Sequence, residues 1–289
     1  MSFGETVLLG ALAGFTIFLG LPVARMQVLS TRARVGMAMF AVGVLAFLLV
    51  DVMEHAFGIV EEAVEEFADD EGSFGEALGL ALLLCAGFAA GTAGLGLLEA
   101  RIRGRESAPP PIAGGSPELA AELTVEDALP IDSEATIARA RALRTGMTIA
   151  AAIGLHNFAE GLAIGVSASA GEISLATVLI IGFALHNATE GFGIVGPLGS
   201  ITPSWRWLVV AGIVGGAPVF IGSIVGYNVT SEPLELAFYG LAAGAILYVI
   251  GEVWSSMRRF GHRELGLWLL AFGFFVGIAT DLIVVYGGG

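Results

Sequence analysis

The chain has 289 residues, of which 56% are hydrophobic and 14% are charged, and its formal net charge is −14. Soluble domains carry about a quarter charged residues, so the composition excludes a water-soluble globular protein, and the acidic balance argues against nucleic acid as a partner. The single cysteine, Cys85, excludes a disulfide framework within the chain and a cysteine-rich metal site.

Eight apolar segments, each close to the roughly 20 residues that cross a bilayer, predict an all-α polytopic membrane protein. The predicted helices, numbered 1 to 8, cover residues 4–24, 35–58, 77–99, 145–168, 175–196, 206–227, 234–255 and 265–286. An acidic loop, residues 61–76, separates helices 2 and 3. Residues 100–143 form a long polar stretch between helices 3 and 4, with a flexible middle and a candidate amphipathic helix within 117–143. We therefore predict a single transmembrane domain, residues 1–289.

The basic residues predict the orientation of these helices. All thirteen are arginines, and they follow helices 1, 3, 5 and 7. Positively charged loops stay in the cytoplasm, so the loop 100–143 is predicted to be cytoplasmic. Both termini and the acidic loop are then predicted to lie outside. The expected location is the plasma (inner) membrane of the cell, with multiple passes through the lipid bilayer.

Helices 4 and 5 carry the same polar motif, in residues 155–161 and 185–191. Each copy contributes a histidine, an asparagine and a glutamate: His156, Asn157 and Glu160, and His186, Asn187 and Glu190. The histidine and the glutamate are four residues apart and share a helix face. At 1.5 Å per residue, both histidines lie roughly 16 Å into a core of about 30 Å. Two facing helices would bring together a ligand set that suits a divalent metal such as Zn²⁺ or Fe²⁺.

A purely structural hydrogen-bonded pair is the alternative reading of either motif copy alone. Ionisable groups at the centre of a membrane cost roughly 2.5–3.5 kcal/mol each on insertion scales, so they are usually functional and face the bundle interior. The repetition of histidine, asparagine, glutamate and glycine in the same register favours the functional reading.

Helix 2 carries a second polar cluster near its predicted outer end. Asp51 and His55 form an i, i+4 pair, and Glu54 lies beside them. We consider Asp51 and His55 candidate metal ligands or a place where the ion first binds. The alternative is a structural pair at the water interface.

Three further polar residues lie near the predicted membrane surfaces. Glu252 and His262 are near the cytoplasmic ends of helices 7 and 8, and Asp281 is near the outer end of helix 8. Each either helps the ion pass or caps and anchors its helix, and the sequence leaves both readings open.

The two motifs resemble the signature of the ZIP (Zrt/Irt-like) family of divalent metal transporters, bacterial type. Residues 156–163, HNFAEGLA, are similar to the family's HNxPEG run in helix 4, and residues 186–191, HNATEG, to its partner in helix 5. The resemblance implies eight spans with both termini outside and a metal site between helices 2, 4, 5 and 6. It also implies that the six motif residues are the ligands and that the ion moves into the cytoplasm.

The sequence departs from the family pattern at two places. Members often have proline inside each motif, where this chain has Ala159 and Thr189. Many members also have a glutamate on helix 6, where this chain has residues 215–218, Gly-Gly-Ala-Pro. A second metal position is therefore expected to be weak or missing.

The predicted function is transport, not catalysis, of a divalent ion, with zinc first and iron, manganese, cobalt and cadmium as alternatives. An intramembrane metal-dependent hydrolase is a second hypothesis, although the usual HExxH spacing is absent from both motifs. A metal-gated cation channel or sensor is a third. The number of bound ions, proton coupling and formation of a homodimer stay open.

Overall fold

The computed structural model describes residues 1–26, 29–106, 131–171, 173–228 and 231–286, and in these ranges every element is a helix. We number eight helices in chain order: α1 (Phe3–Arg25), α2 (Thr31–Ala68), α3 (residues 74–106), α4 (Ile131–Ser169), α5 (Ile173–Val195), α6 (Trp205–Asn228), α7 (Glu232–Arg258) and α8 (Arg263–Tyr286). The last turn of α1, Leu21–Arg25, is 3₁₀, and α3 contains a π-helical turn at Ala90–Gly94. The eight predicted helices therefore correspond one to one to α1–α8.

Seven helices are long and apolar enough to cross a membrane, namely α1, α2, α3, α4, α6, α7 and α8. Their outward surfaces are apolar as well. For example, Trp268 and Phe275 of α8 are 76% and 65% exposed in the isolated chain. Side chains of this kind are stable on a surface that contacts lipid and would be unstable in water. The all-α class and the polytopic membrane character predicted from the sequence are confirmed.

The acidic segment after helix 2 is not the loop that the sequence predicted. α2 continues as a helix to Ala68 rather than ending near residue 58. Alanine and glutamate are good helix formers, and a small apolar cluster holds this extension against α3 and α7. The cluster contains Ala56, Ala63, Ala77, Leu80, Leu84 and Leu236. The helix ends where Asp70 adopts a positive φ of 62° and the amide of Gly72 returns to the carbonyl of Glu66.

The polar stretch 100–143 is helical at both of its ends. α3 extends to Glu106, and α4 begins at Ile131. The candidate amphipathic helix within 117–143 is helical from 131 onward, as the start of α4. Its earlier part, and the predicted flexible middle of the loop, lie outside the described residues.

Glycines let the backbones of neighbouring helices touch, and these contacts join α1, α4, α5 and α6, which we call the motif group. Gly20 and Gly191 are one such pair: a Cβ built on Gly20 would lie 2.9 Å from the Cα of Gly191. The other pairs are Gly14 with Gly216 and Gly161 with Gly222.

The remaining helices, α2, α3, α7 and α8, form the flanking group. Gly43 of α2 meets Gly273 of α8, and Gly91 of α3 meets Gly244 of α7. Between the two groups, the glycines meet side chains rather than backbone, as Gly196 meets Cβ of Ala38. The rings of Phe158 on α4 and Phe238 on α7 also meet there, with centroids 4.7 Å apart.

The two ends of the bundle carry opposite charge. The end at which α2 and α4 finish holds the acidic extension of α2, and we call it the acidic end. At the opposite end, where α1, α3, α5 and α7 finish, lie the described arginine side chains, and we call it the arginine end. There the side chains of Arg25, Arg34, Arg139 and Arg259 all contact the segment that joins α5 to α6.

Candidate metal centre

The two motifs lie where α4 and α5 pack against each other inside the bundle. All six motif side chains are buried, and the most exposed, His186, is only 7% exposed. Burying ionisable groups at this depth is unfavourable unless they have partners. The partners are supplied almost entirely by the motifs themselves.

One carboxylate oxygen lies between two imidazoles. Oε1 of Glu160 is 3.0 Å from Nε2 of His156 and 2.5 Å from Nε2 of His186. The ligand atoms of these three residues all lie within 4.8 Å of one another. Zinc bonds to histidine nitrogen and carboxylate oxygen at about 2.0–2.2 Å, so one ion can reach all three groups after small side-chain movements. We call His156, Glu160 and His186 the metal triad.

The two asparagines connect the motifs reciprocally. Nδ2 of Asn157 on α4 donates to Oε2 of Glu190 on α5 at 3.2 Å, and Nδ2 of Asn187 on α5 donates to Oε2 of Glu160 on α4 at 3.3 Å. Each amide also donates to a backbone carbonyl of a third helix, α6 at 2.9 Å for Asn157 and α1 at 3.4 Å for Asn187. Since both partners of each amide nitrogen can only accept, they determine which way each amide faces.

Several polar atoms of the site are buried without a hydrogen-bond partner. They are Nδ1 and Nε2 of His156, Oδ1 of Asn157, Oδ1 of Asn187 and Oε1 of Glu190. Nε2 of His156 is close to Oε1 of Glu160, but the pair does not have the geometry of a hydrogen bond. Such atoms are rare in folded proteins and require an explanation. Here all of them belong to the two motifs, which fits a site that binds a further group.

The six predicted ligands therefore fall into two sets. The metal triad already converges on one point, whereas Glu190 is held by Asn157 and is not among the groups that meet there. The role of Glu190 and of the two asparagines as direct ligands stays a prediction.

A cavity of about 390 Å³ extends from the triad towards the acidic end. Its polar lining comes from α2, α7 and α8 as well as from the motifs: Asp51, Glu54, His55, Glu235, Tyr239, Thr280 and Asp281, together with Ser167 and the three triad residues. On the opposite side of the triad, a buried apolar cluster fills the space, and it includes Leu45, Ile153, Ile194 and Val249. The site is thus approached from the acidic end.

Asp51 and His55 line this cavity but do not join the triad. Nδ1 of His55 is 2.9 Å from the backbone carbonyl of Asp51 and 3.9 Å from its carboxylate. The histidine side chain is 63% exposed. Both residues therefore lie on the approach to the triad, and their role as ligands stays a prediction.

Glu235 and Tyr239 of α7 line the same cavity and were not identified from the sequence. The hydroxyl of Tyr239 donates to Oε1 of Glu235 at 2.7 Å. Their spacing could have identified them, because Glu235 and Tyr239 are four residues apart at the acidic end of a predicted helix. Asp51 and His55 have the same spacing at the same end of the bundle.

The residues that the sequence left undecided have different positions. Asp281 lines the cavity. Glu252 and His262 lie at the arginine end, outside the described cavity lining, and His262 is exposed with a φ of 59° just before α8.

The motif helices continue without a break through the positions where the ZIP pattern that the motifs resemble often has proline. α4 is helical across Ala159 and α5 across Thr189. The hydroxyl of Thr189 donates to the carbonyl of His186 at 2.7 Å. Hydroxyls that donate to a carbonyl one turn back often bend a helix slightly. Thr189 makes such a bond at the position where the family pattern has proline.

Two glycines of the 215–218 stretch of α6 pack closely against α1. A Cβ on Gly215 would lie 2.8 Å from Cδ1 of Ile17, and one on Gly216 would lie 3.1 Å from Cγ2 of the same residue. α1 thus occupies the space that a longer side chain at either position would need.

Comparisons of the sequence with known proteins identify the family of this chain. The family model described as "ZIP Zinc transporter" matches residues 122–279, more than half of the chain and inclusive of both motifs. Zinc transporter ZIPB of Bordetella bronchiseptica is 28% identical over 131 residues, 44% of this chain and 42% of that protein. Zinc transporter ZupT of Clostridium perfringens is 26% identical over 148 residues, 50% of this chain and 52% of that protein. The match thus spans about half the length of these relatives. By the extent of the family match, the chain belongs to the ZIP zinc transporter family.

Proposed function

We propose that this protein transports a divalent metal ion, Zn²⁺ first, across a membrane into the cytoplasm. The observation that carries the proposal is the buried metal triad at the end of a cavity lined by carboxylates. The family is one of transporters rather than enzymes, and two relatives have names that describe them as zinc transporters.

The proposed orientation follows from the charges at the two ends. α5 has 23 residues, or about 34 Å of helix, and is proposed as the eighth span beside the seven others. With arginine loops inside, the acidic end and both termini face outwards and the arginine end faces the cytoplasm. The proposed location is the plasma (inner) membrane.

The transport path begins in the acidic cavity. Its carboxylates attract a hydrated cation and raise its local concentration, and Asp51 and His55 lie on its way to the triad. At the triad, Nε2 of each histidine and a carboxylate oxygen replace water. Glu190, which Asn157 links to the first motif, supplies a second carboxylate. Two negative charges then offset the charge of the ion in a medium where an apolar site could not.

The proposed site holds one ion. Its imidazole and carboxylate ligands suit Zn²⁺ and also Fe²⁺, Mn²⁺, Co²⁺ and Cd²⁺. Residues 215–218 of α6 supply no carboxylate, where many family members have one on helix 6. Asn157 and Asn187 hold the two carboxylates in place and complete the shell when the ion binds.

The hydrolase and channel hypotheses are weaker. A zinc hydrolase keeps a water on the metal and a general base beside it. In this site both glutamates are already held by side chains of the opposite motif. A channel needs an open path, whereas apolar side chains close the described bundle between the triad and the arginine end.

Metal flux into proteoliposomes tests the proposal. The full chain is reconstituted around a fluorescent zinc indicator, and Zn²⁺ is added outside. Wild type is expected to give saturable uptake, which Glu160→Ala and Glu190→Ala abolish, while Glu61→Ala on the exposed extension of α2 keeps it. Uptake that rises linearly with Zn²⁺ would instead indicate a channel, and no uptake by wild type would reject transport of this ion.

A further inference from the structure

The segment between α5 and α6, residues 196–204, is held at the arginine end by four arginines from four different helices. We call it the α5–α6 loop. Each guanidinium donates to a backbone carbonyl of the loop: Arg259 to Pro197 at 2.6 Å, Arg34 to Gly199 at 3.1 Å, Arg139 to Thr202 at 3.0 Å, and Arg25 to Pro203. The loop continues directly from α5, the helix that carries His186.

These four bonds are of two kinds. Arg25 on α1 and Arg139 on α4 belong to the motif group, as the loop does, so their bonds lie within one group of helices. Arg34 on α2 and Arg259, directly after α7, belong to the flanking group. Their two bonds therefore tie the flanking group to the motif group.

Packing supports the bonds that cross between the groups. Gly199 has a φ of 56°, and a Cβ there would lie 2.6 Å from Cζ of Phe260, so only glycine fits. The guanidinium carbon of Arg259 lies 4.9 Å from the centroid of the same Phe260 ring. Arg34 also donates to the carbonyl of Met26 at 2.8 Å, which fixes its side chain at the start of its own helix.

The two groups are closed against each other beside these bonds. The gap lined by Arg34, Phe192, Val195 and Gly196 has a volume of only about 10 Å³, no more than one water molecule needs. Ala38 of α2 is fully buried there, and a Cβ on Gly196 would lie 2.9 Å from its own. The bundle is thus open towards the acidic end and shut at the arginine end.

We propose that Arg34 and Arg259 form a latch that keeps the arginine end closed, and that both of its bonds break when the ion leaves towards the cytoplasm. The inference rests on the transport function proposed above. The glycines at the boundary between the groups meet side chains, which can slide, whereas glycine contacts lock the motif group internally and join α2 to α8 and α3 to α7 in the flanking group. The guanidinium groups also lie near the carboxyl end of α5, where the helix dipole favours a positive charge.

Thiol labelling tests the latch directly. In a Cys85→Ala background, Ala38→Cys places a small thiol in the closed interface, and a membrane-impermeant maleimide is added to inside-out vesicles. We expect little labelling of this protein. Arg259→Gln or Arg34→Gln should raise the labelling rate about tenfold, because each removes a hydrogen bond from a charged donor.

Arg25→Gln and Arg139→Gln are the matched controls, since each removes an arginine from the same loop without uncoupling the two groups. They should leave labelling of Ala38→Cys unchanged. If Arg259→Gln protein cannot be purified, Arg259→Lys replaces it, because this variant keeps the charge and should fold readily. Its labelling rate should lie between that of the unlatched variant Arg34→Gln and that of the protein with both latch arginines. Equal labelling in all variants, or an equal rise in latch and control variants, would overturn the proposal.

The labelling needs neither metal nor flux, so it separates this inference from the proposed function. If wild type takes up no metal but the latch variants label faster, closure of the arginine end by Arg34 and Arg259 stands, whereas its opening for a departing ion fails together with the transport proposal. If uptake is saturable but Arg34→Gln and Arg259→Gln label like wild type, the transport proposal stands and the latch fails.

Discussion

Glu160 is the residue on which both motifs converge. One of its oxygens lies between the two imidazoles, and the other accepts from Asn187. Its partners come from both α4 and α5, so this one side chain joins the two helices at the centre of the site. The arrangement makes Glu160 more sensitive to substitution than Glu190, whose described hydrogen bond is with Asn157.

We expect Glu160→Gln to abolish tight metal binding while leaving the fold in place. The amide has the same shape but no charge, and its nitrogen cannot bind a metal ion as a carboxylate does. Substitution of a residue that only supports a metal ligand typically lowers metal affinity by about 10–100-fold. We expect Glu160→Gln to lower the affinity for Zn²⁺ by more than this. Equilibrium binding of Zn²⁺ to the purified protein measures it, with Glu61→Gln as a control for charge alone. Unchanged affinity would remove Glu160 from the site.

The histidines make a second prediction at this scale, on pH. Nε2 binds a metal only when it carries no proton, and an ordinary imidazole takes up its proton near pH 6.5. Zn²⁺ affinity should therefore be highest above neutral pH and fall as the pH drops below about 6. Zinc-binding isotherms between pH 5 and pH 8 test this, and an affinity that stays flat across the range would contradict it.

The sequence identified the six motif residues but not how they are divided. The i, i+4 spacing places each histidine above its own glutamate, and this holds for His156 and Glu160. It cannot show that His186 points to Glu160 rather than to Glu190. That outcome depends on how α1 and α6 pack on the motif helices, because their backbone carbonyls accept from the two asparagines.

At the scale of elements, the helices were predictable and their ends were not. Hydropathy gives the segment that crosses the membrane, and it correctly placed eight helices. A hydropathy pattern predicts that a helix ends where charged residues begin. α2 nevertheless continues to Ala68, because glutamate and alanine favour helix and this part of α2 packs against α3 and α7. Those contacts join residues far apart in the chain, so no local pattern reveals them.

The glycine contacts yield a prediction about helix packing. Gly222 of α6 faces the motif helix α4, and a Cβ there would lie 3.0 Å from Cα of Gly161 and closer still to the carbonyl of Phe158. Gly222→Ala should therefore push the two helices apart and destabilise the protein by about 1–3 kcal/mol. Its unfolding temperature in detergent should fall, and its affinity for Zn²⁺ should fall with it.

Gly79→Ala provides the matched control. Gly79 lies in the second turn of α3, and a Cβ there meets nothing within 4 Å. Alanine should be neutral or stabilising there by roughly 0.5–1 kcal/mol, because it is the better helix former. If both substitutions lower the unfolding temperature equally, close packing is not the reason.

At the scale of the whole molecule, charge is separated along the bundle axis. The acidic extension of α2 and the cavity carboxylates lie at one end, and the arginines that hold the α5–α6 loop lie at the other. A cation is attracted to the first end and repelled from the second. The same arginines also bond to the α5–α6 loop, so in the proposed transport both charge and packing direct the ion to the triad from the acidic end.

This separation predicts how the cavity charges affect uptake. Glu54 and Asp281 line the cavity outside the triad, so Glu54→Gln with Asp281→Asn should lower the local concentration of Zn²⁺ without altering the site. We expect the zinc concentration for half-maximal uptake to rise by roughly tenfold at low salt, the lower limit for focusing by charged clefts, with the maximal rate unchanged. The difference from wild type should shrink towards 1 M salt, where charges more than about 3 Å apart are screened.

Glu264→Gln at the arginine end removes an exposed charge and should change neither the half-maximal zinc concentration nor the maximal rate. A lower maximal rate with an unchanged half-maximal concentration would mean that these carboxylates act in the transport step itself rather than in attracting the ion.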